Sequence, residues 1–349
     1  MKRFSILIAA LCLCLTGCGK QTTEATAQIF AMDTVMEVAA YGEHAEQAVK
    51  STEKRIEELE NRLSRTKADS LVSGLNRDGS IRHLTYDYWN LIARAKEYRD
   101  ATNGAFDITI APVMDAWGFT GDQFRVPEQS ELNELLKHVN SDEIQVQEEP
   151  SYSVTLGEGQ AIDLGGIAKG YTSDLVEQTF RANGIESGKI SLGGNVFVLG
   201  GKPDGSDWRV GIKDPRNESG LAAILSLRDA YAITSGGYER YFEENGKTYH
   251  HIIDPSTGYP ADSGLLSVTV VAADNGPDWA GAGNGAMCDA FSTALFVMGE
   301  EQALDFWRNG GYDFDLVLVT EDGRVVITAG LADRFEEVKD SGYTYETVS

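Results

Sequence analysis

Segments patterned as strands and segments patterned as helices alternate irregularly along this chain, and that order constrains the fold more than any single motif does. The stretch "QIFAMDTVMEVAAYG" is apolar enough for a strand, and "EHAEQAVKSTEKRIEELENRL" after it sets Ala48, Ile56, Leu59 and Leu63 on one helical face. "SRTKADSLVSGLN" reads as a loop leading into a short helix. A second helix runs from about Tyr86 to Ala101 and stops at Asn103-Gly104, and "SELNELLKHV" is a third with Ser130 as its N-cap. Short strands at "EIQVQ" and "YSVTL" precede a glycine loop and helix in "AIDLGGIAKGYTSDLVEQTFRANG". "KISLGGNVFVLGG", "WRVGIKDP" and "LLSVTVVAA" read as strands, and "FDLVLVTEDGRVVIT" folds back at Asp322-Gly323 as a hairpin. The expected fold class is therefore α+β: a single domain with a mixed or antiparallel sheet core and peripheral helices, without βαβ repetition.

The chain of 349 residues opens "MKRFSILIAALCLCLTGCGK", with Lys2 and Arg3 before an apolar run from Phe4 to Leu15. That is the pattern of a secretory signal, too short for an ordinary membrane span. Its end, "LTGC", resembles the bacterial lipobox, which is cleaved before a cysteine that then carries lipid. The expected division is a signal peptide at 1–17, a lipidated tether at 18–27 beginning with Cys18, and one domain at 28–345. The domain is expected to be held by its lipid at the extracytoplasmic face of a membrane. Loss of the leader removes Cys12 and Cys14, and an acylated Cys18 leaves Cys288 no partner, so no disulfide framework or cysteine metal site is expected. The chain has 30 basic and 54 acidic residues, a net charge of −24, which argues against nucleic acid or a polybasic membrane contact.

"AMCDAFSTALFVMG" reads as a core helix with Met287, Phe291, Leu295 and Met298 at steps of three and four. Asp289 and Thr293, also four apart, share one face of it. Such a pair either bonds a neighbouring loop or supplies oxygen to a hard cation such as Mg²⁺ or Ca²⁺. Glycine pairs recur in "DLGGIAKG", "SLGGNVFVLGG" and "TSGGYER", none of them a dinucleotide or Walker fingerprint. "DLGGIAKG" nevertheless puts a carboxylate, bare backbone and a lysine at the start of a helix, either as a structural turn or as a phosphate site. Of five histidines, the pair in "YHHIIDPSTGYP" stands out. One of them could act as general base, and since neighbours on a strand face opposite ways, at most one reaches a given site.

Eight stretches in order, "AMDTVMEV", "SRTKADSLVSGLN", "GAFDITIAPVMDAWGF", "IDLGGIAKGY", "ISLGGN", "ITSGGYERYF", "HHIIDPSTGYP" and "MCDAFSTALFVMG", resemble the bacterial FAD:protein FMN transferases, the ApbE family. The resemblance implies an enzyme that binds FAD and Mg²⁺, moves the FMN half onto a threonine of a target flavoprotein bearing an Asp/Ser-Gly/Ala-x-Thr motif, and releases AMP. It implies Asp289, Thr293 and the carbonyl of Gly166 as metal ligands and His251 as the base, with His250 structural. Met32, Thr66, Ala105, Phe106, Asp107, Asp163 and Lys169 match flavin contacts. Thr66 replaces a tyrosine frequent in the family, and Lys169 stands where some relatives carry an acid. Two other outcomes share these residues: an FAD pyrophosphatase giving FMN and AMP, and a lipoprotein that binds flavin without chemistry.

Overall fold

The computed structural model describes residues 23–121, 123–274 and 283–349. The expected signal peptide and Cys18 lie outside them. Nine strands form the main sheet, and their order across it is their order in the chain: β1 (Glu24–Ala31), β2 (Thr34–Tyr41), β3 (Ser187–Leu192), β4 (Asn195–Leu199), β5 (Ala230–Gly236), β6 (Leu265–Ala273), β7 (Asp315–Thr320), β8 (Arg324–Thr328) and β9 (Thr344–Val348). Neighbours are antiparallel except β8 and β9, which are parallel. Between β2 and β3 come α1 (Ala45–Leu63), α2 (Leu71–Asp78), α3 (Tyr86–Ala101), α4 (Ala111–Trp117), α5 (Gln129–Leu135) and α6 (Ala168–Ala182), and α7 (Asn284–Asn309) comes between β6 and β7.

Both faces of the sheet are covered, so β7 is apolar at successive positions, Leu316 to Val319, rather than at every second one. Leu316 and Leu318 face the larger core, shared with Ile56 and Leu59 of α1, Phe180 of α6 and Phe291 of α7. Val317 and Val319, one step out of phase, face a second core beneath a small sheet formed by 208–214, 217–227 and 335–337. Each such side chain contributes about 1.5–3 kcal/mol on burial. Segments 217–227 and 230–236, where alanine, serine and glycine thin the hydrophobic signal, are strands as well.

Three differences from the expectations have local causes. Residues 24–27, expected in the tether, are the first half of β1, because Ala25 and Ala27 pack on the core; at the other end β9 carries the fold to Val348. Ser130 lies inside α5, which begins after Glu128, one residue past Pro127, with Glu131 paired to Arg125. The helix read at 286–299 runs on to Asn309 across a break at Gly299, where φ is 78°.

Two tight turns and a hairpin place the site. Met32 and Asp33 join the paired residues Ala31 and Thr34, and Gly193 and Gly194 join Leu192 and Asn195. Since β2 pairs with β3 through Met36 and Leu192, both turns project from the same end of the sheet. Met32 (φ 50°) and Asp33 (φ 59°) hold left-handed conformations that cost an L-residue roughly 1–2 kcal/mol each. A separate hairpin, Tyr241–Glu244 with Lys247–His250, rests on a third apolar cluster around Trp117, Phe119 and Ile253. Trp117 Nε1 donates to the Gly258 carbonyl at 2.7 Å, and its ring adjoins those of Phe242, Tyr249 and Tyr259.

Candidate active site

A cavity of about 680 Å³ opens at that end of the sheet, and all eleven expected flavin, metal and catalytic positions line it. They arrive from separate elements: Met32 from the first turn, Thr66 from the loop after α1, Ala105, Phe106 and Asp107 from the loop after α3. Asp163 and Gly166 come from the glycine loop entering α6, Lys169 from the first turn of that helix, His251 from the end of the hairpin, and Asp289 and Thr293 from α7.

Asp289 is buried, with Oδ2 accepting from the Gly170 N–H at 2.8 Å and Oδ1 from Asn195 Nδ2 at 3.1 Å. Burial raises its pKa, an effect opposed by the nearby charge of Lys169. The Lys169 N–H donates to the same carboxylate, and acceptor capacity remains on its two oxygens beyond these three donors. One turn on, the Thr293 hydroxyl lies 3.1 Å from that of Ser235, which is 2.8 Å from that of Ser292. Gly166 adjoins this group, for a Cβ built on it would sit 3.4 Å from Thr293 Oγ1. Among the described residues no cluster of three or more His, Cys, Asp or Glu side chains could hold a metal. One carboxylate, hydroxyls and backbone carbonyl are hard oxygen donors of the kind Mg²⁺ takes with water completing its shell, so the residues present fit that ion.

His251 stands with Nδ1 3.1 Å from the carbonyl oxygen of Arg240, and its own N–H donates to the same oxygen at 3.0 Å. A carbonyl only accepts, so Nδ1 carries the proton and Nε2 the lone pair. Burial, with Lys169 nearby, pushes the imidazole down to about 4, so it is neutral across the physiological range. His250 is held at both nitrogens, Nε2 3.0 Å from the Ala261 carbonyl and Nδ1 accepting from the Ile252 N–H at 3.3 Å, which suits a structural residue.

The flavin positions divide by what their polar atoms touch. Asp163 accepts from the Gly165 N–H at 2.7 Å and from Arg65 at 3.1 Å; Arg65 also reaches Asp115 at 2.7 Å and Thr120 at 2.9 Å. The Asp107 carboxylate is engaged within the protein, accepting from the Thr109 N–H and hydroxyl and from the Ser141 N–H and hydroxyl, with Arg99 3.6 Å off. It fixes the loop that carries Ala105 and Phe106. Thr66 turns back on Ser64, their hydroxyls 3.0 Å apart, and Met32 Sδ receives the Thr172 hydroxyl at 3.8 Å. Sequence reasoning passed over Arg65, Asn195, Ser235 and Arg240. Each lies inside a motif quoted above, but only contacts across the fold distinguish it from its neighbours.

The sequence matches the ApbE family over residues 32–316. The chain belongs to the ApbE family. An FAD:protein FMN transferase of Treponema pallidum is 32% identical over 307 residues, 83% of this chain and 82% of that protein. Another from Klebsiella pneumoniae is 33% identical over 294 residues, 82% of this chain and 86% of that protein. The crystal structure of an ApbE protein from Thermotoga maritima superposes with a TM-score of 0.78 at 30% identity, covering 91% of this chain and 97% of that one. The apo flavinyl transferase ApbE of Pseudomonas stutzeri gives 0.73 at 26% identity, with 91% and 95% coverage. The single-domain architecture with its sheet core is thus the ApbE fold.

Proposed function

We propose that this chain is an FAD:protein FMN transferase, moving the FMN half of FAD to a threonine hydroxyl of a partner flavoprotein and releasing AMP. The observation that carries the reading is the meeting, in one cavity, of a neutral imidazole with Nε2 as its acceptor, an oxygen set fit for Mg²⁺, and the cations Lys169 and Arg240. The threonine oxygen bonds to the FMN phosphorus and the phosphorus–oxygen bond to AMP breaks, the bridging oxygen leaving with AMP. His251 Nε2 takes the threonine proton. Mg²⁺, held by Asp289, Thr293 and the Gly166 carbonyl, would neutralise charge on the phosphate oxygens. Lys169 and Arg240 add fixed positive charge, and Met32, Ala105 and Phe106 offer apolar surface to the flavin. Asp163 orders the glycine loop, Asp107 fixes its own loop, and Thr66 supplies a hydroxyl where a tyrosine would stack.

The partner carries Asp/Ser-Gly/Ala-x-Thr. The chain itself holds one tetrapeptide of that form, Ser341-Gly342-Tyr343-Thr344, but Thr344 is paired to Arg324 in the sheet and the Tyr343 hydroxyl donates to Asp214 at 2.6 Å. A separate protein is the better acceptor. The proposal keeps Cys18 as the lipidated residue and the domain at the extracytoplasmic face; among the described residues no helix is long and apolar enough to cross a membrane.

Mass spectrometry of an Asp-Gly-x-Thr peptide incubated with the purified full chain, FAD and Mg²⁺ tests the reading. An FMN adduct on the threonine, absent with Asp289→Ala, supports it. Free FMN and AMP beside an unmodified peptide would make water the acceptor, and intact FAD would leave a flavin-binding protein.

A further inference from the structure

Helices α6 and α7 hold each other through a matched pair of carboxylate-to-backbone contacts. On α6, Gly170 is followed four residues later by Asp174; on α7, Gly285 is followed four residues later by Asp289. The Gly170 N–H donates to Asp289 Oδ2 and the Gly285 N–H to Asp174 Oδ1, each at 2.8 Å. Asp174 Oδ2 also accepts from the Gly283 and Ala286 N–H groups at 3.0 Å, and the Tyr231 hydroxyl of β5 donates to the same carboxylate. The helices cross at the two glycines. A Cβ on Gly170 would lie 2.1 Å from the Gly285 carbonyl oxygen, and one on Gly285 2.4 Å from that of Gly170.

Asp174 is 3% exposed, and its four donors are all neutral. A buried carboxylate is a costly way to cap a helix when a surface serine or threonine would do. What the carboxylate adds is direction, since its two oxygens bind the Gly283, Gly285 and Ala286 amides at the start of α7 and tie them to another helix. Asp289 lies one turn beyond those amides and Thr293 two turns beyond. The Gly166 carbonyl lies on the loop entering α6, whose first turn Asp289 itself holds.

We propose that Asp174 is a positioning residue for the cation site, setting the separation between the Gly166 carbonyl and the Asp289 and Thr293 oxygens by fixing α7 against α6. The inference rests on the reading of those three residues as the Mg²⁺ ligands. Asp174 touches neither substrate nor cation and acts through α7 alone. Asp174→Asn preserves volume but turns one acceptor into a donor facing an N–H, which opens the crossing.

The test is calorimetric titration of Mg²⁺ into the FAD-bound full chain, in a His251→Ala background that stops turnover. Asp174→Asn should raise the Mg²⁺ Kd about tenfold or more, the size of effect typical of groups that orient a metal ligand, while FAD affinity measured without metal stays within about twofold. A folded Asp174→Asn chain with unchanged Mg²⁺ Kd overturns the proposal. If that variant does not fold, Tyr231→Phe decides, since it keeps the ring and removes one bond to the same carboxylate. A rise of about twofold or more supports the proposal, and no change overturns it. Asp289→Ala, run in parallel, separates the two readings. Undiminished Mg²⁺ binding there overturns the ligand assignment and the proposal with it, whereas binding lost there but unchanged in Asp174→Asn overturns the proposal alone.

Discussion

His251 and Arg240 face each other across the open ends of one hairpin, and the Arg240 carbonyl oxygen meets both the backbone N–H and Nδ1 of His251, at 3.0 and 3.1 Å. The hairpin between them thus delivers an imidazole whose tautomer and ring orientation are already set. His251→Ala should lower kcat about 10²–10⁴-fold, the range for removal of a general base, with little change in FAD affinity by flavin fluorescence. Tighter dependence of FAD binding than of kcat on this residue would assign it to binding.

The pH profile follows from the same burial. The His251 pKa is depressed to about 4, so in the free enzyme the base is unprotonated above that value and loses activity only as pH falls through it. The acid limb of kcat/KM, measured at saturating Mg²⁺, should lie well below 6.5. Bound phosphate anions favour the imidazolium, so the acid limb of kcat should lie higher than that of kcat/KM. An acid limb of kcat/KM at 6.5 or above would contradict the assignment.

Gly170→Ala should destabilise the chain by about 1–3 kcal/mol or more, because the new methyl meets backbone and the Asp289 Cβ rather than a flexible side-chain end. Thermal unfolding would show the loss. A melting temperature equal to that of the parent would mean that the helices separate more readily than their contacts imply.

Trp117→Ala should cost about 3–5 kcal/mol through the cavity it leaves. Its local effect is the more informative one. The ring underlies Phe242 and Tyr249 on the hairpin, so amide hydrogen exchange over 241–250 should quicken more than exchange in β6 or β7. Uniform acceleration would show that the hairpin has no separate support.

How far the fold could be read from residues depended on how local its causes are. The apolar strand at Leu265–Ala273 and the hairpin at Asp322-Gly323 declare themselves within a few residues, as does the stripe of Asp289 and Thr293 on an otherwise apolar helix. The strand at 217–227 does not, because its small residues gain their burial from the sheet they lie against. Within the site, motif order brought out the cavity-lining positions, but the bonding of the Asp107 carboxylate to Ser141 depends on a partner 34 residues away. The reciprocity of Asp174 and Gly285 spans 111 residues and joins a side chain to backbone, which carries no residue-type signature.

The agreement between strand order and chain order has a consequence for how this protein is made. Seven of the eight neighbouring pairs in the sheet are joined by connections no longer than residues 274–314, but β2 finds β3 only after everything from Gly42 to Glu186 has emerged. During synthesis from the N-terminus, the β1–β2 ribbon therefore exists for a time with an open β2 edge carrying Val35, Val38 and Ala40, the kind of edge that pairs with other chains. The exposure ends when Ser187–Leu192 docks, and the same event brings Gly193 beside Thr34. Closing the vulnerable edge and assembling that side of the cavity are one step.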